Sequence, residues 1–364
     1  MSLWTLQDIA RAIGADKNIG GEVSGVSIDT RTLAPGDLFV ALVGETDGAK
    51  FVDDALAKGA AAAIASDNYT GNSDKVFVVK DPLEALGKLG AAARARMNGK
   101  VIAVTGSVGK TSTKEMLAHV FAAAGRTHAT QGNLNNHFGL PLTLARMPAD
   151  TEYAVLEMGM NHANEITPLS TLARPDIAMI TTVDAVHLEY FESVEHIADA
   201  KAEIFTGLPE KTGVAILNRD NPHYLRLLGH AHAGQLKVLS FGQAPECDAQ
   251  LLDMKLSARD TTVRANIHGM EIEYVIGAPG AHWVPNSLAV LLAVSAAGAN
   301  VSAAAGALKT ITPPSGRGAR RTITLPGHRT ITVLDESYNA SPVSVAAALA
   351  TLGQMPGRRI AALG

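Results

Sequence analysis

Short apolar runs separated by polar loops and amphipathic stretches recur along this chain, the pattern of alternating strands and helices. Between 100 and 312 the alternation is regular. Strands are expected at Val101 to Val104, Tyr153 to Leu156, Ile177 to Thr181, Val214 to Leu217 and Val238 to Phe241. Runs this short and this apolar suit a largely parallel sheet with helices on both faces. Residues 249 to 277 instead alternate apolar and polar positions around His268-Gly269, which predicts an antiparallel ribbon attached to that sheet. An apolar helix follows from Asn286 to Ala297.

Before residue 100 the pattern is more mixed. It predicts a short helix (Leu6 to Ile13), a polar loop at Asp29-Thr30-Arg31 and a turn at Pro35-Gly36-Asp37. A buried strand from Leu38 to Leu42, a second from Val76 to Val79 and an alanine-rich helix up to Met97 complete it. Asn98-Gly99 reads as a break, and Pro313-Pro314-Ser315-Gly316 as a hinge. Beyond the hinge a hairpin (Thr322 to Leu325 with Thr330 to Leu334), a helix near Val343 to Leu352 and a strand from Arg359 to Leu363 are expected. The chain is therefore read as α/β in three units, 1–98, 99–312 and 313–364. The last is expected to be only the beginning of an α/β domain, incomplete at Gly364.

Composition narrows the function. With 364 residues, 47% hydrophobic and only 4% aromatic, the chain suits a multidomain α/β enzyme packed through small side chains, and a disordered or coiled-coil reading fails. A net charge of −4 without a basic block leaves no electrostatic footprint for nucleic acid. Cys247 is the single cysteine, so no intrachain disulfide forms, and a buried bystander thiol is expected. No basic segment precedes a long apolar stretch at the N-terminus and no run approaches membrane-spanning length, so a cytoplasmic protein is expected.

The strongest chemical signal is KVIAVTGSVGKTSTKEMLAHVFAAAG, Lys100 to Gly125. It reads as a buried strand, a glycine turn and an amphipathic helix with Met116, Leu117, Val120, Phe121 and Ala124 on one face. Gly106 and Gly109 let backbone N–H groups approach phosphate oxygens at a helix N-terminus, where the helix dipole is positive. Lys110 would reach the terminal phosphates and the Thr111 hydroxyl would hold Mg²⁺. The general P-loop spacing wants a glycine where Val104 stands. A bare Gly-Lys-Thr is commonly chance or a helix cap, but strand, glycines and helix in register favour a nucleotide cradle.

In an open parallel sheet ligands collect at the carboxyl ends of the strands. Glu157 closes one strand and His187 lies just past another. A strand-end carboxylate is usually solvated and a lone histidine usually structural, but with Thr111 they supply oxygen and imidazole ligands at one edge. Lys201 lies within a helical run, Val194 to Leu208, beside Ile204 and Phe205. Most helix lysines are solvated, but burial would lower the pKa of this one, and a neutral amine can take up carbon dioxide as a carbamate.

Taken in order, TGSVGKTSTKE (Thr105 to Glu115), GNLNNHFGLP (Gly132 to Pro141), LEMGMNHANEI (Leu156 to Ile166), HLEYF (His187 to Phe191), AKAEIF (Ala200 to Phe205) and DESYNASP (Asp335 to Pro342) resemble the Mur ligase superfamily along the whole chain. Within it they look most like the branch that adds D-alanyl-D-alanine to a UDP-N-acetylmuramoyl tripeptide. The resemblance implies a three-domain architecture, with a UDP-sugar-binding unit, a central P-loop ATP unit and a C-terminal ligase unit; a monomer is expected. It implies ATP and two Mg²⁺, with Gly106, Ser107, Val108, Gly109, Lys110, Thr111 and Ser112 around the phosphates. Asn286, Arg317 and Asp335 would touch the nucleotide. Thr111 and Glu157 would serve one metal, and His187 and a carbamylated Lys201 the other. Asn135 and Asn136 would lie towards the peptide substrate, and Thr30 and Arg31 towards its uridine end.

The implied reaction is amide formation through an acyl phosphate, with Lys110, Lys201, His187 and Glu157 in the catalytic machinery and the dipeptide amine displacing phosphate. The chain departs from the family pattern at Gly280-Ala281-His282, where an arginine is common in the middle position, and family members continue beyond a strand like Arg359 to Leu363. A sister amide ligase, adding diaminopimelate or lysine or acting as a folylpolyglutamate synthase, shares the cradle. A nucleotide-binding module without catalysis is the remaining alternative.

Overall fold

The computed structural model describes residues 2–186, 188–326 and 330–363. Among the described residues, nine strands form the main sheet. Their order is Met270–Ile276, Thr261–Ile267, Ala249–Leu256, Lys237–Gly242, Val214–Asn218, Ile177–Ile180, Lys100–Thr105, Tyr153–Glu157 and Thr127–Ala129. From Lys237–Gly242 to Thr127–Ala129 every neighbouring pair is parallel. Lys100–Thr105 lies third from the Thr127–Ala129 edge. The next two strands are added on one side of it and Ile177–Ile180 on the other, so a topological switch point lies at its carboxyl end.

Alternate residues of Lys100–Thr105 feed two cores. Ile102 and Val104 pack with Met116, Leu117, Val120 and Phe121 of the helix Lys110–Ala122 and with the helix Trp283–Ala296. Val101 and Ala103 pack on the other face with Leu140, Leu144, Ile166, Ile197 and Phe205. Burial on both faces explains why these strands read as continuous apolar runs. The expected ribbon is present: Ala249–Leu256 joins the parallel sheet at Phe241 and pairs antiparallel with Thr261–Ile267, which pairs with Met270–Ile276. Its tight turn places both His268 and Gly269 at positive φ, 50° and 86°, as a two-residue hairpin requires.

A second sheet, all parallel, has the order Gly25–Ser27, Asp37–Val40, Ala62–Ser66 and Val76–Val79. It is fastened to the main sheet by cations on backbone carbonyls. The Arg96 guanidinium stacks 3.4 Å from the Trp4 ring centroid and donates to Leu3 O (2.9 Å) and Met147 O (3.0 Å). Trp4 Nε1 donates to Ala145 O at 2.8 Å, and Arg146 Nε to Val26 O at 2.7 Å. Gly99, read as a break, is a site of close approach: a Cβ there would stand 2.3 Å from Glu152 O.

The region after 313 holds the hairpin Ala319–Thr324 with Thr330–Asp335 and the helix Pro342–Gly353. Several expectations are corrected here. Residues 359–363 form no strand; Ile360 and Leu363 stay exposed, because among the described residues no neighbouring strand supplies a ladder for them. Ala124 is exposed, since the helix ends at Ala122 and the chain has already turned away from the core face. The run Val194 to Leu208 is α-helical only over Val194–Ala202 and then tightens to a 3₁₀ turn, Glu203–Gly207. Cys247 is half-buried rather than buried.

Candidate active site

The strand Lys100–Thr105 runs into the turn Gly106 to Gly109, and the helix Lys110–Ala122 begins there with Gly109 at φ 85°. Among the described residues no side chain caps this helix start. The N–H groups of its first turn therefore have no intrahelical acceptor and suit an anionic ligand. Gly106 is fixed by its neighbour: at φ 153° a Cβ would fall 1.9 Å from Thr181 Oγ1, which donates to Val108 O at 2.6 Å. Ser107 is locked against the next strand end. Its Oγ donates to Asp184 O at 3.0 Å and accepts from Asp184 N at 2.9 Å. Lys110 Nζ folds back onto Gly106 O at 2.7 Å, and the packing around it lowers its pKa, with Glu157 opposing the shift and Arg317 adding to it.

Glu157 is 2% exposed at the end of Tyr153–Glu157. Its Oε1 accepts from Asn135 Nδ2 at 2.8 Å and from Thr111 Oγ1 at 3.3 Å, and its backbone N–H donates to Thr130 Oγ1 at 3.0 Å. Its Oε2 is sealed from solvent and has no hydrogen-bond partner among the described residues. A buried carboxylate oxygen without a donor is an expensive arrangement, and a cation relieves it. Glu157 and Thr111, joined by a hydrogen bond, thus fit a hard divalent ion with oxygen ligands.

Lys201 is 3% exposed. Burial first, and then the charge of Lys110, drives its pKa well below the usual lysine value. A neutral amine at this edge of the sheet is the form that takes up carbon dioxide. His187 lies outside the described residues. Among the described residues no cluster of three or more His, Cys, Asp or Glu is arranged for a metal, so the oxygen pair of Thr111 and Glu157 carries the case for an ion.

Asn286 lies against the turn: a Cβ on Gly109 would come within 3.1 Å of its amide. Its Nδ2 donates to His282 O at 3.2 Å, and burial holds the His282 imidazole down at about 4, hence neutral. From the last region, the Arg317 guanidinium stacks 4.1 Å over Tyr338, and its charge reaches Lys110. Asp335 accepts from Gly316 N at 3.0 Å and from Ser337 Oγ at 2.6 Å, and these bonds, those from Ser337 foremost, hold its carboxyl low.

Lys110, Thr111, Glu157, Lys201, Asn286 and Arg317 are thereby gathered around the cradle, whereas Asp335 acts on the hinge. Asn135 serves Glu157, and Asn136 Oδ1 accepts from Gly139 N at the start of the next helix, 2.9 Å. Thr30 and Arg31 stand on the surface of the smaller sheet, where Arg31 Nη2 reaches Asp29 Oδ2 at 2.6 Å and Lys58 donates to Thr30 O. Thr130, Thr181 and Tyr338 have structural roles at the site that spacing did not signal, since each depends on a strand or loop far away in sequence.

The chain matches the Mur ligase middle domain over residues 104–294 and the description "Mur ligase family, catalytic domain" over 22–95. A UDP-N-acetylmuramoyl-tripeptide–D-alanyl-D-alanine ligase of Rickettsia prowazekii (strain Madrid E) is 36% identical over 97% of this chain and 78% of its own length. The chain belongs to the Mur ligase family. The structure of MurF from Acinetobacter baumannii superposes on this Mur ligase with a TM-score of 0.86, at 30% identity, over 98% of this chain and 78% of that one. MurF from Thermotoga maritima in complex with ADP superposes at 0.76, with 28% identity over 92% and 76%. As a Mur ligase, the chain is an ATP-dependent enzyme that forms amide bonds, and its mostly parallel sheet with a P-loop matches the architecture of these neighbours.

Proposed function

We propose that this Mur ligase joins D-alanyl-D-alanine to a UDP-N-acetylmuramoyl tripeptide in the cytoplasm, a step of peptidoglycan precursor synthesis. The observation that carries the substrate assignment is likeness to relatives of that name over nearly the whole chain, including the first unit as well as the cradle. The observation that supports the chemistry is the buried Glu157 carboxylate, held by Thr111 and Asn135 with one oxygen unmatched among the described residues.

A carboxylate is a poor electrophile, so its oxygen first takes the terminal phosphoryl group of ATP and the amine of the dipeptide then displaces phosphate from the acyl phosphate. Lys110 sits at the turn where the transferred phosphoryl group would be held, and its ammonium offsets negative charge. Thr111 and Glu157 would hold one Mg²⁺, and His187 with a carbamate on Lys201 a second; bound magnesium screens the charge that gathers as carboxylate meets triphosphate. Burial lowers the pKa of the Lys201 amine and so favours the neutral form from which a carbamate forms. Asn286 borders the nucleotide side, and Arg317 approaches from beyond the hinge.

The units 1–98, 99–312 and 313–364 would take the UDP-sugar, ATP and the dipeptide side of the reaction in turn. Thr30 and Arg31 are the positions proposed for the uridine end, with Asn135 and Asn136 nearer the peptide. A substrate panel tests the assignment. The enzyme with ATP, Mg²⁺ and bicarbonate is given either the tripeptide with D-alanyl-D-alanine, or the sister substrates, and products are read by mass. The expected product is the UDP-pentapeptide; amide formation only with diaminopimelate, lysine or glutamate would discard this reading in favour of a sister ligase.

A further inference from the structure

Arg320 is the second residue of the strand Ala319–Thr324, opposite Leu334 in the hairpin. Its Nε and Nη2 are both sealed from solvent and have no hydrogen-bond partner among the described residues. These two N–H groups form one edge of the guanidinium, parallel and spaced for two oxygens of a single oxyanion. The chain uses that edge in this way elsewhere. Arg226 sets Nε and Nη2 on the two oxygens of Asp199, each at 2.6 Å, and Arg31 does the same with Asp29 at 3.0 and 2.6 Å.

At Arg320 the neighbouring charge has the wrong sign for such a pair. It is that of Arg259, in the turn between the strands Ala249–Leu256 and Thr261–Ile267. The acid of that turn, Asp260, is turned onto Ser257 Oγ at 2.6 Å. A guanidinium edge withdrawn from water, with the positive charge of Arg259 acting on it and no acid paired to it among the described residues, is an unfavourable arrangement unless something anionic completes it. Neither arginine belongs to the nucleotide cradle.

We propose that the seam between this hairpin and the turn 257–260 is an oxyanion site, in which Arg320 supplies a two-pronged grip and Arg259 the second positive charge. Two guanidinium charges are balanced best by a phosphate, which carries a charge near −2 at neutral pH, rather than by a monoanionic carboxylate. The ligand class is therefore a phosphate, free or carried on a larger molecule. Its binding would tie the region after the hinge to the ribbon of the main sheet.

Thermal unfolding of the full chain, Arg320→Met and Arg259→Met, in chloride and then in inorganic phosphate at matched ionic strength, tests this. Phosphate at the nucleotide cradle acts equally on all three proteins, so the difference between them isolates the seam. Phosphate is expected to raise the Tm of the unaltered chain by roughly 2 °C more than that of either variant. In chloride Arg320→Met should unfold no earlier than the unaltered chain, since its unmatched donors are gone. An equal phosphate increment in all three proteins overturns the proposal, and an acetate increment as large as that of phosphate overturns the choice of ligand. Should Arg320→Met fail to fold, Arg320→Lys decides: it keeps the charge without the fork, and a full phosphate increment in it refutes the two-pronged grip.

Discussion

Replacing Gly106 with alanine tests the packing of the cradle most sharply. The new Cβ would fall 1.9 Å from Thr181 Oγ1, 3.2 Å from Thr181 Cβ and 3.3 Å from Thr181 N, at a φ of 153° that side chains rarely adopt. Thr181 is 2% exposed and cannot swing into solvent without giving up its 2.6 Å bond to Val108 O. Overpacking costs about 1–3 kcal/mol and the lost hydrogen bond about 1 kcal/mol, so the substitution should destabilise by roughly 2–4 kcal/mol. At about 2 °C per kcal/mol for a protein of this size, Tm should fall by roughly 4–8 °C. The displaced turn should also weaken nucleotide binding, read as a rise in the Kd for ADP.

Thr181→Ala removes the oxygen at the centre of the clash while leaving a tight Cβ contact. In the double variant part of the lost Tm should return, with a positive coupling between the two sites. Nucleotide affinity should stay low, because the backbone at 106 remains strained. Unchanged Tm and Kd in Gly106→Ala would refute the reasoning, as would strict additivity in the double variant.

Other consequences are as direct. Lys110→Ala should abolish ATP turnover with the circular dichroism spectrum intact; a near-normal rate of phosphate release would exclude its role at the phosphates. Lys201→Ala should lose ligase activity, which a small carboxylate but not bicarbonate should restore, and activity without any supplement would count against the carbamate. Burial and the adjacent Asp335 raise the Glu336 carboxyl from 4.5 to about 7, with Arg317 opposing. The folded state therefore binds more protons than the unfolded one between those values, so this stabilisation is complete below 4.5 and is lost as pH rises through about 7. Glu336→Gln should remove that slope from a Tm-against-pH curve, and an unchanged slope would place the titration elsewhere.

The strands of the main sheet were legible because both their faces are buried: Val101 to Val104 falls one residue short of the observed strand at each end, and Tyr153 to Leu156 one residue short at its carboxyl end. Ala62–Ser66 escaped notice because its alanines carry little apolar contrast, and Thr127–Ala129 because an edge strand is only half-buried and has no apolar run. Arg359 to Leu363 shows the converse, since an apolar run becomes a strand only beside a partner. At the site, the glycines and Lys-Thr were readable because phosphate binding is local to one turn. The hydrogen bond from Asn135 to Glu157 was not readable, since it joins a loop to a strand end by the order of strands in the sheet, which periodicity does not encode. The hinge contacts of Asp335 and Arg317 were likewise set by the hairpin register.

The central claim, that this chain activates a carboxylate with ATP at the cradle of Lys110 and Glu157, is tested most directly by an oxygen label. Tripeptide substrate carrying heavy oxygen in the carboxylate to be joined is turned over with ATP, Mg²⁺ and D-alanyl-D-alanine, and the released phosphate is analysed by mass. An acyl phosphate requires one heavy oxygen to pass from each carboxylate into phosphate, in step with the amide formed. Amide formation with unlabelled phosphate would contradict the account.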